Sequence, residues 1–323
     1  MVSPIKVCCI EEIIFDQTNA MGIIAVHGGL DTSREPQFMQ VLQEAALAGY
    51  NHLPPSRIQA VEAALKVLED SPKFNCGYGS VLNLSGEVEM DAAIMDGAST
   101  RFTAVAAIRQ VKNPISVARL LQEKTGQVIL AGNGAVQFAR ANGFPEANCV
   151  SEEQRAAWHK ARESLARGET PAQNPFTGLS GDTVGCVVWD GKELTAASST
   201  GGCFLKAPGR VGDTPCLGGG IFASPSCAVV CTGIGEAFIE TLTAKYVDDQ
   251  IVCGVHPQQA TEMALKRLSA IKGALGGILA VDALGRVGAA FNAGKFPVVI
   301  VIDGKIKENF EPVNLQPAMA AQC

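Results

Sequence analysis

Histidine, the commonest general base for a serine or cysteine nucleophile, is scarce in this sequence. Only four histidines occur, His27, His52, His159 and His256. His159 falls in a strongly charged stretch and His256 precedes a proline at a helix start, so a serine or cysteine needing an imidazole base has few candidates. The sequence contains no G-x-S-x-G elbow, no H-E-x-x-H pair, no phosphate-binding loop and no complete G-x-G-x-x-G run. Cys76 and Cys186 have no evident chemical partner and read as packing residues.

Thr183 offers a different chemistry. The segment from Val150 to Gly181 is rich in Glu, Arg, Ser, Gly and Pro; the run TVGCVVW that follows is strand-like, and Asp190-Gly191 turns the chain into a second strand, LTAASS. A cut between Asp182 and Thr183 would leave an α-amine on the residue that carries the hydroxyl. With a pKa of about 7.7–8.0, that amine is partly unprotonated near neutral pH, so one residue supplies both nucleophile and base. A polar linker just upstream can swing away after scission. The DTVG tetrapeptide alone carries little weight, because threonine is a common β-former.

The elements that would hold this threonine follow from periodicity. MGIIAVHGG (21–29) reads as a strand ending in a glycine turn. Phe38, Leu42, Ala45, Ala46 and Gly49 recur at helical spacing, and Ser56 caps a second helix with Val61, Leu65 and Leu68 on one side. Residues 74–97 are a glycine-punctuated loop followed by alternation, and 104–111 is a strand. Helices follow from Pro114 to about Glu123 and within 132–143. Residues 151–182 break the composition: a solvated helix, then the flexible connection RGETPAQNPFTGLSG. Beyond Thr183, strands are expected at 183–189, 194–199 and 227–232, helices near 235–248 and 257–271, and strands near 277–282, 286–292 and 297–302. Grouped strands and grouped helices indicate an α+β or layered α/β fold.

Composition narrows the class. The 323 residues are 47% hydrophobic and 18% charged, an ordinary globular balance with enough chain for a large core. A formal charge of −6 and the absence of a basic run argue against nucleic acid. No apolar run approaches the roughly 20 residues of a membrane helix, and the N-terminus does not read as a signal peptide. Eleven cysteines without C-x-x-C or zinc-type spacing are expected as reduced thiols in a cytoplasmic protein.

Several landmarks in order carry more information than any one of them. AVHGG (25–29), the run 68–83 ending KFNCGYGSVLN, GEVEMDAAIMDG (86–97), KNPISVARLL (112–121), SSTGG (198–202), GRVGD (209–213), PCLGGGIFA (215–223) and VVCTGIGE (229–236) together resemble the plant-type asparaginase and isoaspartyl-peptidase family. These are N-terminal-threonine hydrolases, with glycosylasparaginase and taspase as relatives, and the resemblance runs from about Gly22 to about Asp303. It implies an N-terminal-nucleophile hydrolase of the αββα four-layer type, two sheets between helical layers. That single domain would be built from an α segment 1–182 and a β segment 183–323 after self-cleavage.

The same resemblance implies roles. Thr183 would be the nucleophile, Thr200 its hydroxyl neighbour, and the Thr232 hydroxyl and Gly233 amide the oxyanion donors. Arg210 and Asp213 would clamp the α-carboxylate and α-ammonium of an aspartyl head group, a pairing that suits a guanidinium fork and a carboxylate. The Gly235 carbonyl would assist the ammonium, and Asn75 would brace the nucleophile. Main-chain carbonyls of Leu68, Glu69, Ser71, Phe74, Cys76 and Tyr78 would surround a structural sodium or potassium ion, and no organic cofactor is implied. Substrates would be L-asparagine and isoaspartyl dipeptides, and precursors would pair as a homodimer.

Three features depart from the family pattern. HGGLDTSREP lacks the second glycine cluster that usually follows HGG, which bears on self-cleavage and leaves room for an uncleaved, catalytically silent homologue that binds an amino acid or a partner. Asp182 stands where the asparaginase branch usually has glycine, whereas aspartate at this position is the habit of glycosylasparaginase and taspase; Asp213 favours the asparaginase branch, because a polypeptide interior offers no free ammonium to meet it. The extension before Met21 is also atypical.

Overall fold

A computed structural model of the chain describes residues 22–169, 183–307 and 310–315. Residue 182, the connection 170–181 and the N-terminal extension therefore lie outside the described residues. The elements run β1 (Ile23–His27), α1 (Pro36–His52), α2 (Arg57–Glu69), β2 (Met90–Asp96), β3 (Arg101–Ile108), α3 (Pro114–Lys124), β4 (Ile129–Ala131), α4 (Gly132–Ala141) and α5 (Glu152–Ala166). After residue 182 come β5 (Val184–Trp189), β6 (Leu194–Thr200), β7 (Ile221–Ala223), β8 (Cys227–Gly233), α6 (Gly235–Thr241), α7 (Thr243–Val252) and α8 (Pro257–Leu268). The chain closes with β9 (Gly276–Asp282), β10 (Val287–Phe291), β11 (Val298–Ile302), β12 (Lys305–Ile306) and β13 (Val313–Asn314).

Local chemistry sets many of these boundaries. The Ser56 hydroxyl accepts a hydrogen bond from the Gln59 amide at the start of α2, a cap worth about 1 kcal/mol. Ser151 does the same for α5 through Gln154, and Pro36, Pro114 and Pro257 open their helices where no amide partner is needed. The single helix expected near 235–248 is two, because Leu242 adopts a left-handed conformation (φ 49°, ψ 48°) that α-helical bonding cannot pass through. β4, β7, β12 and β13, two or three residues long, fall outside the expected strands because strands that short carry almost no periodic signal.

The strands form two sheets, in the orders β12-β11-β1-β5-β6-β2-β3-β4 and β13-β10-β9-β8-β7. β5 and β6 are the antiparallel hairpin expected after Thr183, paired from Val184↔Ser199 to Trp189↔Leu194. Their turn is held from α2: the Arg57 guanidinium reaches Asp190 at 2.6 Å, Glu193 at 2.6 Å and Asp96 at 3.1 Å.

Side-chain alternation sorts the apolar residues into three large clusters. Val26, Val184, Cys186, Ala197 and Ile94 pack with Leu42, Leu65, Leu68 and Ile115 of the helices over the eight-stranded sheet. Ala25, Val187, Ala196, Ala93 and Met95 of that sheet pack instead with Ile221, Val230, Leu279 and Phe296, which belong to or adjoin the other sheet. In the third cluster, Val229 and Cys231 of β8 pack with Phe238, Val247 and Leu265 of α6–α8. Strands with both faces covered read as nearly continuous apolar runs, which is why β2 is buried at six of its seven positions rather than alternating with solvent.

Candidate active site

Thr183 directly precedes β5 and is 3% exposed. The hairpin register, continued one step beyond Val184↔Ser199, sets it across from Thr200. Alternation sends both toward the layer between the sheets, since Val187 and Ala196 point there. From the other sheet, Thr232 shares a face with Ala228 and Val230, which line that same layer. Three threonines separated in sequence thus address one buried space.

The chain around them is pinned by side chains. Thr200 Oγ1 accepts the Gly202 amide at 2.9 Å. Asn75 donates from Nδ2 to the Gly202 carbonyl at 2.7 Å, accepts the Val81 amide on Oδ1 at 3.0 Å, and accepts the Gly201 amide on its own carbonyl at 2.8 Å. Asn75 therefore welds the 74–81 loop to the end of β6. Thr232 Oγ1 accepts the Leu30 amide at 3.4 Å, so the shortened turn after His27 lies directly on this hydroxyl. His27 itself is fully buried, its ring 5.1 Å from that of Phe296, and both ring nitrogens lack hydrogen-bond partners among the described residues. Burial pulls its pKa down to about 3, so it sits neutral in the fold.

Arg210, Asp213 and Gly235 also come together. A Cβ built on Gly235 would lie 2.8 Å from Asp213 Oδ1 and 3.1 Å from Arg210 Nη2, and one on Gly220 would lie 2.5 Å from Asp213 Oδ2. The Gly220 carbonyl in turn accepts the Cys231 amide at 2.8 Å, linking this cluster to the strand that carries Thr232 and Gly233. Sequence reasoning missed Glu236. Its carboxylate takes the Arg210 fork through Nε at 3.0 Å and Nη2 at 2.8 Å, and that bond holds Glu236 below its usual range. The only signal was an acidic residue just after the glycines of CTGIGE.

The loop with the proposed metal carbonyls is crowded with main-chain oxygen. A Cβ on Gly77 (φ 52°) would collide with the Glu69 carbonyl, and one on Gly79 with the Phe74 carbonyl and, at 2.9 Å, that of Pro72. The Leu68, Phe74 and Cys76 carbonyls already accept the Ser71, Cys76 and Gly79 amides, each leaving a second lone pair. Among the described residues no group of three or more His, Cys, Asp or Glu could hold a metal. A turn rich in carbonyl oxygen fits a hard alkali cation in donor chemistry. The Glu69 carboxyl, fully buried and pushed up to about 8 by that burial, accepts the Ser199 hydroxyl at 2.7 Å and ties this loop to the residue before Thr200.

A family model described as asparaginase matches residues 20–310. The chain belongs to the asparaginase family. A plant-type L-asparaginase of Pyrococcus abyssi is 44% identical over 297 residues, covering 88% of this chain and 97% of that protein. One from Thermococcus kodakarensis is 45% identical over 298 residues, with the same coverage. An isoaspartyl peptidase/L-asparaginase of Macaca fascicularis is 39% identical over 299 residues, covering 90% of this chain and 96% of that protein. Within this asparaginase-family chain, the residues singled out from sequence fall into three neighbouring groups: the threonines between the sheets, the Arg210–Asp213–Gly235 cluster and the 68–79 carbonyl loop. Among the described residues no helix is long and apolar enough to cross a membrane.

Proposed function

We propose that the chain cuts itself between Asp182 and Thr183 and then hydrolyses L-asparagine to aspartate and ammonia, and β-aspartyl dipeptides to aspartate and an amino acid. The observation that carries this reading is the meeting of Arg210 and Asp213 at Gly235, a fork for a carboxylate beside a carboxylate for an ammonium, next to the strand of Thr232. In the self-cleavage, the Thr183 hydroxyl adds to the Asp182 carbonyl, the C–N bond breaks to leave the amine, and water hydrolyses the ester.

In turnover that amine accepts the Thr183 hydroxyl proton as the oxygen attacks the side-chain amide carbon. The Thr232 hydroxyl and Gly233 N–H stabilise the oxyanion. Collapse breaks the C–N bond and the proton leaves with ammonia or the amino acid. Water, deprotonated by the same amine, then attacks the Thr183 ester and frees aspartate. Thr200 and Asn75 keep the nucleophile's surroundings in place, and Arg210, Asp213 and the Gly235 carbonyl hold the head group. Carbonyls of Leu68, Glu69, Ser71, Phe74, Cys76 and Tyr78 would hold a sodium or potassium ion, which supplies structural order.

The grouping of apolar clusters supports an αββα arrangement, with the two sheets sharing the middle cluster. We read the working unit as a cytoplasmic homodimer of cleaved chains. Intact mass of freshly purified protein tests the core of the proposal: two fragments are expected, the second starting at Thr183. Thr183→Ala should stay whole and lose turnover by a factor on the order of 10³ or more. An uncut chain that still consumes L-asparagine would overturn it. Asp182 favours a second reading, a glycosylasparaginase or taspase-like activity; hydrolysis of glycosylated asparagine or an internal peptide, with none of L-asparagine, would decide for it.

A further inference from the structure

The loop between Thr200 and Asp213 is fastened from below by GEVEMD, a segment to which the proposed chemistry assigns nothing. Glu89 and Asp91 stand two residues apart on extended chain, so they share a face. Asp91 pairs with Thr200 on one side, while on the other the register slips from Met90↔Ile108 to Ala92↔Val105. That bulge turns the Asp91 carboxylate onto the Ala107 amide, which donates to Oδ1 at 2.7 Å. Oδ2 meets no full hydrogen bond among the described residues, though the Lys206 ammonium and the Gly212 amide lie near enough to offset part of the burial that raises Asp91.

Lys206 is 5% exposed, a rare state for lysine. Its Nζ donates to the Glu89 carbonyl at 2.8 Å, and a Cβ on Gly202 would lie 2.6 Å from it. The Glu89 side chain accepts the Gly209 amide at 2.8 Å. One strand end therefore grips the loop at Lys206 and Gly209, directly before Arg210.

We propose that Asp91 and Lys206 are positioning residues, a buried carboxylate on the strand position paired with Thr200 and a buried ammonium on the Glu89 carbonyl, which together set the height of the Arg210–Asp213 clamp relative to Thr200 and so tune selection for a zwitterionic head group. This rests on the amidohydrolase reading above. The test compares wild type with Asp91→Asn, Lys206→Met and the double variant, which leaves no lone buried charge. L-aspartate binding is measured by calorimetry, and KM and kcat are measured on L-asparagine and on succinamate, which lacks the α-ammonium. Each single variant should bind L-aspartate at least tenfold more weakly and raise KM more than it lowers kcat. The preference for L-asparagine over succinamate should shrink at least tenfold, and the double variant should be no worse than the poorer single.

Glu89→Gln weakens the Gly209 anchor together with the Arg109 ion pair; it should shift the same quantities in the same direction by a smaller factor while Arg109→Gln leaves them within twofold, and this comparison decides the matter if the buried variants do not fold. Folded variants that bind L-aspartate within twofold of wild type and keep its preference overturn this inference alone. A wild-type protein that neither binds L-aspartate nor hydrolyses L-asparagine overturns the clamp reading, and this one with it.

Discussion

The guanidinium of Arg210 is forked across the carboxylate of Glu236, with Nε 3.0 Å from Oε1 and Nη2 2.8 Å from Oε2. The Arg210 side chain is 17% exposed and that of Glu236 58%, so the pair is buried at its cationic end and open at its anionic end. In the proposed reading, an incoming α-carboxylate would compete with Glu236 for the same fork. Solvent weakens the existing pair, which at such exposure is worth roughly 0–1 kcal/mol. Glu236→Gln should therefore lower KM for L-asparagine by about two- to fivefold with kcat little changed. An unchanged or higher KM in steady-state kinetics would show that the fork is not the substrate's.

Thr232→Val removes one proposed oxyanion donor and should lower kcat on the order of 10²-fold, with a small effect on KM. Thr232→Ser should keep most of the rate. Measurement on fully cleaved protein separates this from slow maturation; a valine variant with most of its kcat would assign the oxyanion to other donors.

Asn75→Ala leaves the Gly202 carbonyl and the Val81 amide without their buried partner. Destabilisation of roughly 1–3 kcal/mol is expected from the two orphaned groups. Asn75→Asp keeps an acceptor for Val81 but buries a carboxylate against the Gly202 carbonyl, two acceptors face to face, so it should cost at least as much. Denaturant unfolding reads the order, and equal stability of all three proteins would contradict the weld.

His27 titrates near 6.5 when unfolded and at about 3 in the fold. The folded state thus binds fewer protons, and stability is whole above pH 6.5 and drains as pH falls toward about 3. His27→Leu should flatten this part of the acid limb. Thermal unfolding from pH 7 to pH 4 checks it: parallel curves for the two proteins would place the acid sensitivity elsewhere.

If the 68–79 carbonyls hold an alkali cation, the melting temperature should be higher in sodium or potassium chloride than in tetramethylammonium chloride at equal ionic strength. Gly77→Ala, which drives a methyl group into the Glu69 carbonyl at a φ of 52°, should lower stability and erase that difference. A wild-type protein indifferent to the cation would remove the metal from the proposal.

Much of the scaffold was legible because its signals are local. Ser56 and Pro114 announce helices, and Asp190-Gly191 announces the hairpin that sets Thr183 across from Thr200. The break at Leu242 was not, because a left-handed leucine is imposed by its neighbours and leaves no residue-type signature. α5 has the composition of a solvated helix, and its charges are exposed; yet Trp158 donates from Nε1 to the Asn83 carbonyl at 2.9 Å, a long-range anchor invisible to composition.

The sequence by itself determined the inventory of chemistry: a threonine at a strand start, a scarcity of histidine, an Arg and an Asp three apart, and a glycine-punctuated loop. Only the tertiary structure decided which of these meet. Glu69 reaches Ser199, Leu30 reaches Thr232, Arg210 reaches Glu236 and Lys206 reaches Glu89, across separations that no periodicity encodes. The physical reason is that alternation tells a side chain which face it takes, whereas the strand beside it is chosen by packing of the whole sheet.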